Sequence, residues 1–410
     1  MTGLNGPFAS LAAVQDNAIP RPCVATIRLI LPAAASMRAA CPEQVRVREG
    51  TKRLVKTVWF NKGHSVRNAL VAIRMADRGR IRLIASHPFA DAAALTAADI
   101  ALVEPWIAAD DVAGRYRDWC LDVCRTHAVD LFIAGDQRET LAPFAADFAA
   151  IGTRLALAGT PQMLETIDDK YAFTLAAADH GLPVAQTHRV TEATGFADAV
   201  AALQATGHGI CVKPARGVFG AGFWRLDDSQ TLFDRLMTGG GHTLPVAVFA
   251  AALAEPVPTP LLVMEYLPGD ETSVDILADH GRVLLAVARR KQRVAQHLSV
   301  TGPAIDLATR TVAAFGLHGL VNVQMIADRD DRQTLLEVNP RMSGGCHYAL
   351  FAGANLPWWH VALELELAAV ADLPVSVGGA VVAAIPDAVR IDGTGHPTFA
   401  GLAEAAAAID

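Results

Sequence analysis

Leu335-Leu336-Glu337-Val338-Asn339-Pro340-Arg341-Met342-Ser343-Gly344-Gly345 is the stretch whose reading decides the fold. Its first residues alternate apolar and polar in the manner of a strand end, and Pro340, which has no backbone N–H, stops the pairing. Side chains two apart on a strand share a face, so Glu337 and Asn339 point the same way. A carboxylate and an amide oxygen beside the charge of Arg341 make a setting suited to a hard cation and a phosphate chain. Taken alone, the stretch reads equally well as an acidic strand end followed by a polar turn, and its surroundings have to discriminate.

The chain of 410 residues has room for two or three domains with sizeable cores. Its 52% hydrophobic and 19% charged residues are a globular composition. Many of the apolar residues are alanines, which favour helix while adding little core volume. A net charge of -7 argues against a sequence-independent nucleic-acid binder, which needs a basic face to displace counterions. The six cysteines, Cys23, Cys41, Cys120, Cys124, Cys211 and Cys346, show neither a paired framework nor zinc-ligand spacing, which fits buried free thiols in a reducing cytoplasm. The apolar stretch Val24–Ala40 is interrupted by Arg28 and Arg38 and falls short of a membrane span. The expectation is a soluble cytoplasmic protein.

Residues 1–54 mix Pro, Gly, Ala and Arg without a period and read as a poorly ordered extension. From Lys56 onward strands alternate with helical patterns: a strand to Asn61, a helix over Val66–Met75, a strand over Ile81–Ser86, a helix near Asp111–Thr126 and a strand over Asp130–Gly135. This alternation predicts a parallel sheet in an α/β domain, with Asn61, Lys62, Asp136 and Arg138 at strand ends where ligands or plain turns are found. Leu164–His180 reads as one helix carrying Lys170, stopped by Gly181-Leu182-Pro183. The strand Gly209–Pro214 ends on Lys213 and runs into Gly217, Gly220 and Gly222, whose backbone N–H groups can approach phosphate oxygens; a ligand-free Gly-rich hairpin is the alternative. Leu261–Leu267 reads as a buried strand that passes through Pro268-Gly269 to Glu271, and Gly281–Lys291 as a strand ending in Arg289, Arg290 and Lys291. A final hairpin sets Gln324 beside the strand of Glu337.

Lys170, Lys213 with its Gly-rich loop, Glu265, Glu271, Gln324 and Glu337-Val338-Asn339-Pro340-Arg341 follow one another in an order and spacing that resembles the ATP-grasp superfamily, in its carbamoyl-phosphate-synthetase-like branch, which includes amino-acid ligases. The resemblance implies an α/β fold with a pre-ATP-grasp domain at 55–160, linker helices and a lid subdomain at 161–264, and a metal-binding subdomain with the C-terminal tail at 265–410. ATP would lie between the last two. It further implies that Lys170 and Lys213 contact the phosphates under the loop of Gly217, Gly220 and Gly222, that Glu265 and Leu267 read adenine, and that Glu271 holds the ribose. Gln324, Glu337 and Asn339 would hold Mg²⁺, or Mn²⁺ in its place, although a neutral Gln324 weakens one metal position relative to an acid. Arg341 and one of Arg289 or Arg290, here taken as Arg290, would neutralise the transferring phosphate, with Ser343-Gly344-Gly345 edging the acceptor pocket.

The activity implied is that of an ATP-dependent carboxylate–amine ligase forming an amide or peptide bond through an acyl phosphate, with ADP and phosphate released. Its partners would be a small-molecule carboxylate and amine, amino acids by default, with no nucleic acid and no membrane, and with a homodimer left open. A kinase acting on a small molecule and a non-catalytic ATP-binding regulatory protein are the two other readings.

Overall fold

Val58, Trp59 and Phe60 are all buried, the continuous apolar run expected of a strand covered on both faces. They lie in β1 (Lys56–Asn61), the centre of a five-stranded parallel sheet in the order β3-β2-β1-β4-β5, completed by β2 (Ile81–His87), β3 (Ile100–Val103), β4 (Leu131–Ala134) and β5 (Arg154–Ala156). The chain steps outward from β1 to β3 and returns to β4 on the other side of β1. The carboxyl ends of β1 and β4 therefore flank a topological switch point, where an open α/β sheet leaves a crevice. Trp59 stacks on Phe132 at 4.0 Å between ring centroids. The helix Arg117–His127 buries Cys120 and Cys124 against the same sheet, and burial pushes the Cys124 thiol up to about 12, so these cysteines are inert packing groups.

The computed structural model describes residues 55–62, 66–107, 111–217, 221–229, 231–238, 241–253 and 259–385. The extension expected over residues 1–54 lies outside the described residues. All described residues fall in one unit, Arg53–Asp410.

A second sheet has the order β6-β10-β7-β8-β9, formed by β6 (Thr187–Val190), β7 (Gly209–Pro214), β8 (Trp224–Leu226), β9 (Thr243–Leu244) and β10 (Leu261–Tyr266). A third, antiparallel sheet has the order β15-β14-β11-β12-β13-β16. Its strands are β11 (Glu271–Asp279), β12 (Arg282–Gln292), β13 (Ala295–Ser299), β14 (Gly319–Ala327), β15 (Gln333–Asn339) and β16 (Val381–Ala383). The tail thus returns a short strand to this sheet's edge beside β13. The turn into β11 needs a glycine, since a Cβ on Gly269 would stand 2.5 Å from the Ala327 carbonyl oxygen.

One expected helix proves to be two. The segment read as a single helix over Leu164–His180 breaks at Asp169, whose extended backbone (φ -87°, ψ 103°) separates Pro161–Asp168 from Lys170–Asp179. The physical reason is capping: the Asp169 side chain accepts from the Tyr171 and Ala172 N–H groups, which would otherwise lack partners at a helix start. Lys170 consequently sits on the first turn rather than mid-helix. Phe173, on the same short helix, packs into the core that carries Val323, Met325, Leu335 and Val338 from β14 and β15. Phe173→Ala should therefore cost about 3–5 kcal/mol in a denaturant titration, the range for removing a fully buried aromatic ring.

Candidate active site

In an antiparallel sheet, residues directly opposite one another share a face. Asn339 of β15 opposes Asn322 of β14, which opposes Asp275 of β11; Glu337 opposes Gln324, which opposes Ser273, which opposes Arg289 of β12. Two adjacent polar rows therefore cross the third sheet on one face. The β14–β15 register shifts between Gln324 and Met325, so Gln324 faces Glu337 while Met325 faces Leu335, and Leu336 is the extra residue of a bulge. Leu335 and Val338 are buried in the core, and Leu336, Glu337 and Asn339 all face a cavity. Strict alternation from Leu335 would have turned Glu337 into the core, and the bulge resets the phase.

That cavity, of about 550 Å³, lies between the second and third sheets. Lys170, Lys213, Gly217, Glu265, Leu267, Glu271, Gln324, Glu337, Asn339 and Arg341 all line it, so most of the residues singled out from sequence meet here. Lys213 reaches it from the end of β7 and Lys170 from its helix start, where the Nζ donates to the Gly217 carbonyl oxygen at 2.5 Å and lies 3.9 Å from Glu337 Oε2. Burial lowers the pKa of Lys213, as does the neighbouring Lys170, while Glu337 opposes the shift. Two ammonium groups with one carboxylate between them leave an excess of positive charge. At the other wall the Glu265 carboxylate meets His208 Nδ1 at 2.8 Å, and Glu271 accepts from Lys291 Nζ at 2.5 Å.

Gly220 lies outside the described residues. Gly222 is not on the cavity wall; it turns the chain after β7 with φ +76° and stands where a Cβ would come within 2.8 Å of the Pro214 ring. Arg290 does not reach the cavity either. It opposes Thr272, on the face away from Ser273 and Asp275, and donates to Asp270 Oδ2 at 2.9 Å. Period two puts Arg289 and Lys291 on the cavity's face instead.

Arg289 is buried and donates to Asp275 Oδ2 at 2.6 Å, to Gln296 Oε1 at 2.7 Å and to Ser343 Oγ at 3.0 Å. Burial works against its charge, but the Asp275 carboxylate wins and raises its pKa. Asp275 also accepts from Ser343 Oγ at 2.6 Å and from Asn322 Nδ2 at 2.9 Å, and the Asn322 oxygen lies 3.5 Å from Asn339 Nδ2. Asn339 Nδ2 is also 3.3 Å from Glu337 Oε1. With its nitrogen directed at these two oxygens, the amide oxygen is the atom with which Asn339 can meet a cation. The donor set of Glu337, Asn339 and Gln324 is all oxygen, with no sulfur or imidazole, and fits a hard cation such as Mg²⁺. Asp275 and Asn322 were not recognised from sequence, yet each is a polar residue inside an apolar run, Val274-Asp275-Ile276 and Val321-Asn322-Val323, and Asn322 stands two residues from Gln324.

Arg341 and Ser343 also line a second cavity of about 370 Å³, which lies at the switch point of the parallel sheet. Its walls include Lys62, His87, Phe89, Asp136, Arg138, Leu320 and Met342. Lys62 pairs with Asp136 at 3.4 Å. Arg138 donates an Nη1 hydrogen to the Gly135 carbonyl, and its Nε is buried without a hydrogen-bond partner among the described residues. Burial lowers the pKa of both Arg138 and Arg341, and Arg138 lowers that of Arg341 further by repulsion, while the Asp136 carboxylate opposes the shift of both. Asn61, in contrast, is a structural group: it donates to Tyr116 Oη at 2.8 Å and accepts from Gly135 N at 2.6 Å.

A parallel sheet followed by two further sheets that enclose this donor set constitutes the ATP-grasp fold, and the protein adopts it. Within that fold, residues 258–388 match the family model described as ATP-grasp in the biosynthetic pathway with Ter operon. Curated proteins yield no match to the sequence. Among solved structures, the ADP complex of N5-carboxyaminoimidazole ribonucleotide synthetase is similar with a TM-score of 0.55 at 17% identity over 79% of each chain. Biotin carboxylase from Campylobacter jejuni gives 0.53 at 15% identity over 76% of this chain and 71% of that one. The L-amino acid ligase from Bacillus licheniformis gives 0.51 at 15% identity, covering 76% and 74%.

The hydrogen-bond network predicts that Asp275→Asn, which keeps the shape and removes the charge, destabilises the fold by about 3–5 kcal/mol, because it leaves the Arg289 guanidinium buried without a counterion. Ser343→Ala removes one neutral partner and should cost about 1–3 kcal/mol. Urea-denaturation midpoints of the two variants check the ranking.

Proposed function

We propose that the protein is an ATP-dependent carboxylate–amine ligase that works through an acyl phosphate. The observation that carries this reading is the meeting of two cavities at Arg341 and Ser343, one walled by lysines, oxygen donors and a strand end, the other by paired guanidinium groups and apolar side chains. ATP fits the first, with its phosphates toward Lys170 and Lys213 and its adenosine toward Glu265, Leu267 and Glu271. Glu337 and Asn339, with Gln324, would hold Mg²⁺, which when bound supplies charge neutralisation to the phosphate oxygens.

Two desolvated guanidinium groups that repel one another are stabilised by an anion between them. Arg138 and Arg341 thus select a carboxylate for the second cavity, and Phe89, Leu320 and Met342 offer its remainder an apolar wall. A carboxylate oxygen attacks the γ-phosphorus, the bond from that phosphorus to the ADP oxygen breaks, and the acyl phosphate forms. The amine then attacks the acyl carbon, the bond to the phosphate oxygen breaks, and inorganic phosphate leaves as the nitrogen gives up a proton. Neither step requires a protein nucleophile; both require alignment and neutralised charge. Arg341, present on both cavity walls, is placed to do this for the oxygens passing between them.

The test is incubation with ATP, Mg²⁺ and pooled amino acids. ADP and phosphate should appear together with an amide product, and only when both a carboxylate and an amine are present. AMP and pyrophosphate as products would exclude the acyl-phosphate route, and a phosphorylated product stable to excess amine would exclude amide formation. Glu337→Ala should lower kcat at least 100-fold, on the order of the loss of a charge-neutralising group, and Arg138→Met should raise KM for the carboxylate while leaving that for ATP unchanged.

The free protein's Lys213 ammonium, its pKa lowered by burial, is lost at lower pH than an exposed lysine's. ATP affinity should accordingly fall as pH rises into the alkaline range, since binding must then bring a proton with it. Lys213→Arg stays charged throughout and should flatten that limb in a fluorescence titration of nucleotide binding.

A further inference from the structure

Nine residues along β11 from Glu271, at the end remote from the nucleotide cavity, the β11–β12 turn brings Asp279 and His280 up to His318, which immediately precedes β14. One carboxylate oxygen and two imidazole nitrogens here lie within 4.8 Å of one another. Asp279 Oδ1 is 2.9 Å from His280 Nδ1 and 3.7 Å from His318 Nδ1, and the two rings lie 4.1 Å apart between centroids. Asp279 uses its other oxygen to accept from Arg282 at 3.1 Å.

The tautomer of His318 follows from its second nitrogen. Nε2 lies 2.9 Å from Glu364 Oε1, and a carboxylate can only accept, so the ring proton is committed there. Glu364 is itself held from behind by Arg154 Nη1 at 3.4 Å. His318 Nδ1 then carries a lone pair. It is buried, has no hydrogen-bond partner among the described residues, and faces the Asp279 oxygen. Two lone pairs facing each other need a cation between them. A proton on His318 would supply one, but it would place an imidazolium against the His280 ring, whose own nitrogen converges on the same oxygen. A metal ion satisfies all three donors at once.

We propose that Asp279, His280 and His318 form a binding site for a divalent first-row cation, with Zn²⁺ the best match to two imidazoles and one carboxylate. Tetrahedral zinc at about 2.0–2.1 Å from its ligands holds them about 3.4 Å apart, close to the spacings already present. The Glu364 carboxylate behind His318 is the usual arrangement behind a metal-bound imidazole, where it fixes the ring's orientation. The three residues line a cleft together with Leu284, Leu363 and His360, and His360 Nδ1 is likewise buried without a partner among the described residues. The site shares no residue with the nucleotide cavity, and His318 and His360 lie between it and the second cavity, whose walls they also join; the assignment stands whether or not the ligase reading does.

The metal is tested on the full chain freed of metal, by calorimetric titration with Zn²⁺ and by the visible absorption of the Co²⁺ form. One Zn²⁺ per chain is expected. His280→Asn is the informative variant, because His280 is an exposed turn residue at φ 45° next to Gly281 at φ 87°, and Asn-Gly is the sequence such a turn favours. The fold should survive and affinity should fall at least tenfold, while Glu364→Gln, which only orients His318, should weaken binding about 10–100-fold. Glu337→Ala should leave this binding unchanged. Absence of stoichiometric Zn²⁺ binding, or binding equal in His280→Asn and the parent, would overturn the assignment.

Discussion

A carboxylate with no exposure to solvent, that of Asp275, is the constraint on which the site depends. Three donors from three parts of the chain converge on it: Arg289 from the neighbouring strand, Asn322 from the strand on the other side, and Ser343 from the loop beyond Pro340. Burying a charge is tolerated only when its partners are in place, so the pair fixes its neighbours as firmly as they fix it. Through Asn322 this order reaches Asn339 and Glu337, and through Ser343 it holds the turn that presents Arg341. The cavity's oxygen donors are therefore set by a group that never touches the cavity.

The parallel sheet contributes in a different way. Its switch point between β1 and β4 is a consequence of topology alone, and the chain uses it to seat Arg138 and Asp136 opposite the Arg341–Ser343 turn. One wall of the second cavity thus comes from the amino-terminal sheet and the other from the last strand pair. That cavity bridges two layers that the chain visits about 200 residues apart.

Much of this was legible in the sequence, for reasons that differ from residue to residue. β1, β2 and β4 carry buried apolar runs, whereas β3 and β5 are edge strands of four and three residues that were not read from the sequence because so short a pattern does not mark a strand; Lys213, Glu271 and Glu337 stand at or beside strand ends, where side chains of this kind have few structural uses. What period-two reasoning could have supplied and did not is the choice among Arg289, Arg290 and Lys291: pairing with Ser273 and Asp275 selects the odd-numbered two. The break at Asp169 was hidden because Asp-Asp-Lys is compatible with a continuous helix, and only the capping bonds reveal the stop. The bulge at Leu336 was hidden because a single extra residue in a ladder has no compositional mark; two adjacent leucines, one for the core and one for the cavity, are its only trace. His280 and His318 are separated by two strands and a whole helix, and no linear pattern could pair them.

The bulge also bears on how such a chain can vary over time. The polar loop between β14 and β15 lies outside the buried rows, so its length is free to drift without moving Glu337. Loss of Val338, between the two donors, is another matter. It would put Glu337 and Asn339 on opposite faces of a regular strand, so that one donor leaves the cavity for the core, whereas loss of Leu335 or Leu336 removes only the bulge and leaves Glu337 opposite Gln324. Insertions and deletions should therefore be tolerated up to the bulge and be absent from Glu337 to Asn339, a boundary drawn by strand phase rather than by contact with any ligand.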